Sequence, residues 1–173
     1  MKKLYLTLAL ATVSAFSSAA ATISLVTPDT TPYVGQSFTI DLVVSGNVQE
    51  ILGFGLDYLV STSAISLQSY DINPFFGPDF GLPDTKIAVF TFPGNTDSTV
   101  TLVSFKFLAQ SEGVSVFSVL SELNGNEGLF TLTSTSDLSK ALTIDVQAVP
   151  EPASLGLAAA ALTGLAFALR RRK

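Results

Sequence analysis

The 173-residue chain has no cysteine, no histidine and no tryptophan, and only one methionine. Without cysteine there is no disulfide, so any folded domain must be held together by its apolar core. Without cysteine or histidine, Ser-His-Asp and Cys-His triads, thiolate or imidazole zinc sites and imidazole acid–base chemistry are excluded. Carboxylate, lysine, serine and tyrosine chemistry remains. Basic residues are scarce and unevenly placed. Of nine Lys and Arg, Lys2 and Lys3 lie at one end and Arg170, Arg171, Arg172 and Lys173 at the other, which leaves Lys86, Lys106 and Lys140 between them. All fourteen acids lie in that central stretch, so it carries three positive charges against fourteen negative, or −11. This balance argues against nucleic acid or anionic lipid as partner, because both are bound by Lys and Arg clusters. It suits divalent cations, cationic polymers or simple solubility.

The two ends explain the charge segregation. Lys2 and Lys3 precede an apolar stretch from Leu4 to Phe16, and the small residues Ser17-Ser18-Ala19-Ala20-Ala21 follow, which reads as a secretory signal removed by signal peptidase near Ala21. At the other end Val149-Pro150-Glu151-Pro152 leads into seventeen uncharged residues, Ala153 to Leu169, and then the basic cluster. At a rise of ~1.5 Å per residue this run is roughly 25 Å long, the short end of a membrane-spanning helix. The basic residues place its terminus on the cytoplasmic side, with the preceding domain outside the inner membrane. Pro150 and Pro152 both resist helix, so the tripeptide stays extended and accessible to a protease. A plain permanent anchor is the alternative. The organisation expected is a signal peptide over 1–21, a domain over 22–148 and a tail over 149–173.

Pro150-Glu151-Pro152, the Ala/Leu/Gly-rich segment and the arginine cluster, in that order at the C-terminus, resemble the PEP-CTERM sorting signal of Gram-negative bacteria. The resemblance implies recognition by an exosortase, a membrane transpeptidase resembling cysteine proteases. Pro150, Glu151 and Pro152 would be read by that enzyme, while Arg170, Arg171 and Arg172 hold the tail in place. It further implies export across the inner membrane, transient anchoring there and a final place at the cell surface or in an extracellular polysaccharide, biofilm or floc matrix.

The central segment reads as β throughout. Phe38, Ile40, Leu42 and Val44 alternate with Thr39, Asp41 and Val43; Leu52, Phe54, Leu56, Tyr58 and Val60 alternate with Gly53, Gly55, Asp57 and Leu59. Val103, Phe105 and Phe107 form another such series, as do Leu142, Ile144 and Val146. Turn signals separate the runs, among them Pro93-Gly94-Asn95 and Asn124-Gly125-Asn126. The pattern predicts strands over 23–27, 36–46, 51–60, 64–71, 86–92, 98–109, 113–121, 128–134 and 141–148, with no amphipathic helix between the termini. About 130 residues suit one all-β domain, an antiparallel two-sheet β-sandwich, flanked by an N-terminal signal helix and a C-terminal transmembrane helix. The stretch from Val34 to Gly46, the Leu52-Gly53-Phe54-Gly55-Leu56-Asp57-Tyr58 strand, and Leu102 to Ala109 with Gly113 after it resemble cohesin-like jelly-roll domains. Leu59-Val60-Ser61-Thr62-Ser63 stands where cohesins usually have an Asp-Pro turn, so dockerin binding does not carry over.

The loop from Asp71 to Asp84 is the remaining candidate site. It is rich in Pro and Gly and sets Phe75, Phe76 and Phe80 among Asp71, Asn73, Asp79 and Asp84. Three readings stand: the phenylalanines plug one end of the sandwich, they contact a glycan or partner, or the oxygen groups hold Ca²⁺. The spacing is not that of an EF-hand, and no metal site is assigned. Paired carboxylates alone can hydrolyse a glycoside, but no second motif fixes such a pair in a cleft. The function expected is that of a non-catalytic surface or matrix protein; the alternative is a carbohydrate- or protein-binding module acting through the 71–84 loop or a sheet face.

Overall fold

Period-two alternation produces ten strands in the computed structural model, which describes residues 21–46, 49–80, 86–122 and 127–150. The expected signal segment and the tail from Glu151, with its helix over 153–169, lie outside the described residues. In order the strands are β1 (Thr22–Val26), β2 (Ser37–Ser45), β3 (Ile51–Val60), β4 (Ile65–Ile72), β5 (Lys86–Asn95), β6 (Thr99–Ala109), β7 (Gly113–Leu120), β8 (Gly128–Thr131), β9 (Thr135–Ser136) and β10 (Lys140–Val146). A single 3₁₀ turn, Pro74–Phe76, is the only helical element among the described residues. None there is long and apolar enough to cross a membrane. Each predicted strand is present. β9 and the 3₁₀ turn are additions.

The chain forms an antiparallel two-sheet sandwich. One sheet runs β1-β2-β6-β4. In the other, β3 is central, with β5 on one edge and β7 and β8 end to end along the opposite edge: Asp57 pairs Leu120, and two residues along Gly55 pairs Gly128. β7 and β8 therefore act as one long strand interrupted by 121–127. β10 and β9 complete the sheet beyond them. Between the sheets Phe105 and Phe107 of β6 meet Phe117 of β7 edge-on, with ring centroids 4.9 and 5.0 Å apart, an arrangement aromatic pairs prefer. Phe38, Ile40, Leu42 and Val44 are buried as their alternation requires, and so are Ile144 and Val146.

Two expectations are corrected by β-bulges. Leu52 does not join the buried face; the register slips between Ile51 and Gly53, so that Ile51 and Phe54 both point inward and Leu52 is only half-buried. A bulge opposes two residues to one and so breaks strict alternation. In β6 the slip opposite Leu42 and Val43 lets Leu102 and Val103, adjacent in sequence, both be buried. Pro93-Gly94-Asn95, expected as a turn, instead forms the irregular end of β5, and the strand expected over 128–134 stops at Thr131 in a tight turn to β9.

At the C-terminal end the chain is clamped. The amide of Asp145 donates to Thr30 O and that of Gln147 to Pro32 O, while Val34 N donates to Gln147 O, all at 2.9–3.0 Å. The clamp is itself braced: Asp29 accepts from Thr31 N and from Gln36 Nε2, and Gly35, at a positive φ of 86° that favours glycine, donates to Ala109 O.

Candidate functional site

The 71–84 loop divides its residues between core and surface. Asn73 organises its start: its side-chain oxygen accepts from Phe75 N at 3.0 Å and its amide donates to Thr101 O at 2.9 Å, tying the loop to β6. Phe76 is thereby driven fully inside, edge-on to Phe54 at 5.3 Å. Phe75 and Phe80 remain largely exposed. The plug is therefore one phenylalanine and not three. The loop's acids are held apart. Asp71 pairs Lys106 at 2.7 Å, whereas Asp79 accepts from the Tyr70 hydroxyl at 3.0 Å and from Ala88 N at 3.3 Å. Burial first, and then the Asp79 carboxylate, raise the Tyr70 hydroxyl above its ordinary value. Asp84 lies outside the described residues, and among those described no three acidic side chains come together around a metal-sized space.

Asp79 and Phe80 instead extend the second sheet. Phe80 N donates to Ala88 O at 3.1 Å and Asp79 accepts from Ala88 N, so this stretch flanks β5 and lays Phe80 over its outer face. Three strands meet there in a row Phe90–Gly53–Phe130, since Gly53 pairs with both phenylalanines. The rings close over the glycine at 5.3 Å, and Phe80 lies 6.1 Å from Phe90. Only glycine fits beneath them: a Cβ at residue 53 would sit 2.3 Å from Val89 O and 2.7 Å from Phe90 Cδ1.

The irregular end of β5 carries the cluster further out. Glu50 accepts from Gly94 N, Asn95 and Asp97 bond each other, and Thr91 Oγ1 donates to Pro93 O. These bonds hold Phe92 in solvent at 89% exposure, while Leu132, on the turn after β8, is 66% exposed. Bulged strand ends commonly re-aim a side chain in this way. Further along the same face, beyond the Gly55–Ala88 row, Lys86 Nζ lies 2.8 Å from Glu127 and 3.3 Å from Asp57. Glu127 first and Asp57 second raise the lysine, and Lys86 lowers Glu127 in turn. One oxygen of Asp57 is buried without a hydrogen bond.

Reading the sequence brought out Phe80 and Asp79 at this place but missed Gly53, Phe90, Phe92, Phe130 and Leu132. Phe90 and Phe92 alternate like core residues, and their outward direction depends on the register of β5. The sorting residues divide similarly: Pro150 is exposed just beyond the clamp, whereas Glu151, Pro152, Arg170, Arg171 and Arg172 lie outside the described residues. A cavity of about 260 Å³ between β7 and β10, lined by Ser118, Val119, Leu120, Ser139, Lys140 and Ala141, has no carboxylate in its wall.

The two-sheet antiparallel sandwich has the fold of a cohesin-like module. It is similar to the cohesin module of a Clostridium perfringens family 33 glycoside hydrolase, at a TM-score of 0.56 and 15% identity over 75% of this chain and 96% of that one. It is also similar to a type III cohesin module from a cell-surface anchoring scaffoldin of Ruminococcus flavefaciens, at 0.53 and 13% over 75% and 90%. At such identities the likeness is one of fold. Residues 148–173 match the PEP-CTERM protein-sorting motif, so a cohesin-like sandwich here carries a C-terminal sorting tail. Among curated proteins nothing matches the chain.

Proposed function

We propose that this is an exported, exosortase-sorted, non-catalytic surface protein that binds a component of the extracellular matrix or biofilm through the outer face of β5, β3 and β8. The carrying observation is the outward aromatic cluster of exposed Phe80 and Phe90 with half-buried Phe130, next to the solvent-exposed Phe92 two residues along β5, at the end of the sandwich remote from the tail. Strand register sets that polarity. Ile51 pairs Asn95 at the aromatic end, while β10 runs to Val146, opposite Gly113, at the other. Contiguous exposed apolar side chains on a soluble domain mark a contact surface. An aromatic face without a catalytic cleft suits binding. The sorting motif supports export and a surface location, with exosortase and signal peptidase as processing enzymes.

The test is retention. Phe92→Ser in the full chain is expected to keep the thermal midpoint, because Phe92 packs against little, and to move the protein from the matrix fraction of the producing cells to the medium. Unchanged retention would defeat the reading.

A further inference from the structure

We infer that the clamp on Gln147 governs removal of the C-terminal tail: the processing enzyme grips the chain only when Gln147 comes off the 30–34 segment. This rests on the reading of the tail as a processed sorting signal and is independent of the aromatic face. An enzyme that cuts a chain holds it extended and pairs with its backbone, much as a strand is added to a sheet edge. In an extended stretch the N–H and C=O of one residue point to one edge and those of the next residue to the other. One edge of the stretch 147–152 belongs to Ala148, Pro150 and Pro152, and because proline has no N–H it offers a single donor. The other belongs to Gln147, Val149 and Glu151 and offers three. Main-chain reading of Pro150-Glu151-Pro152 is thus directed to the second edge.

The folded domain already occupies that edge. Gln147 N donates to Pro32 O at 2.9 Å and Val34 N donates to Gln147 O at 3.0 Å, with Tyr33 as the bridge partner of Gln147. Asp145, one step back on the same edge, donates to Thr30 O. The 30–34 segment is held in turn: Tyr33 N donates to the side-chain oxygen of Gln36 at 3.0 Å, and Gln36 Nε2 donates to Asp29 at 3.2 Å. Clamp and enzyme therefore compete for the same backbone groups. Release does not require unfolding. Val146 can stay seated in the core, where it is fully buried, while Gln147 gives up its backbone bonds to Pro32 and Val34. Openings this local lie far below global unfolding in free energy, and cleavage through an opened state follows the fraction that is open.

The chain has no cysteine, so an introduced pair can bond only to itself. Tyr33→Cys with Gln147→Cys sets two thiols on bridge partners and closes a disulfide across the clamp once the domain is exported, which thiol labelling verifies. Pulse-chase labelling of the full chain in the producing cells then follows loss of the tail by mass. The locked variant is expected to lose its tail at least about tenfold more slowly than wild type, and a membrane-permeant reductant to restore the rate. Gln36→Ala, which unbraces the 30–34 segment, is expected to speed removal. A flexible Gly/Ser spacer between Ala148 and Val149 supplies free N–H groups beyond the clamp, so adding it to the locked variant is expected to bring back the wild-type rate. Equal rates in wild type and the disulfide-closed variant would overturn the inference, and so would slowing that the spacer leaves in place. A tail retained by wild type itself would instead defeat the sorting reading, and this inference with it.

Discussion

Gly53 lies under two phenylalanines, and what it lacks matters more than what it contributes. Gly53→Ala has no room, with backbone as well as a ring in the way, so it is expected to cost about 1–3 kcal/mol and to displace Phe90. Chemical denaturation and near-UV circular dichroism would read the two effects. Phe76 and Phe80, four residues apart, should behave oppositely. Phe76→Ala is expected to lose about 3–5 kcal/mol by emptying a core position beside Phe54. Phe80→Ala, at 65% exposure, should stay within about 0.5 kcal/mol in the same denaturation experiment. Asp137 contributes to acid behaviour, as does Glu127, which Lys86 also lowers. Hydrogen bonds from Ser139 and then Ser121 lower the Asp137 carboxyl to about 2. A carboxyl depressed in the folded state contributes stability above its unfolded value and loses it as pH falls through its folded one. Thermal midpoints should therefore drop between about pH 4 and pH 2, and Asp137→Asn should flatten that part of the profile.

The strands themselves were legible because each buries one face, and a half-buried strand leaves a period-two trace in Phe38 to Val44 or Leu142 to Val146. Bulges were not legible. Leu52 is flanked by Ile51 and Gly53, and Leu102 is followed by Val103, so at these points a slip of one residue sets one apolar residue in place of another while reversing direction. The outward aromatics were hidden for the same reason, since alternation separates two faces without saying which is dry. Of the loop expected over 71–84, Asp71 belongs to the end of β4 and 81–84 lie outside the described residues; Phe75 and Phe76 are sorted by the turn that Asn73 sets, and Phe80 by its bond to Ala88. Element stability should vary accordingly. β6, paired on both edges and lined by Val103, Phe105 and Phe107, is expected to exchange its amide hydrogens only through global unfolding. β9, two residues on an edge, should exchange orders of magnitude sooner, and hydrogen-exchange mass spectrometry resolves the difference.

At the scale of the molecule, charge and polarity were readable from sequence and the outward aromatic face was not. Subtracting the basic ends revealed the acidic domain, but only strand register places the aromatic cluster at the end opposite the tail. Mass spectrometry of the mature protein is expected to find a start near Thr22 and an end near Pro152; an intact Lys173 would make the tail a permanent anchor. The clamp on Gln147 adds a consequence for how the protein is held. Two residues, Ala148 and Val149, separate that last hydrogen-bonded position from Pro150, and at ~3.5 Å each they span about 7 Å. So short a leash leaves little slack. Whatever reads Pro150 must therefore work close against the β10 end of the folded body, with the Phe90–Phe130 end of the sandwich turned away from it.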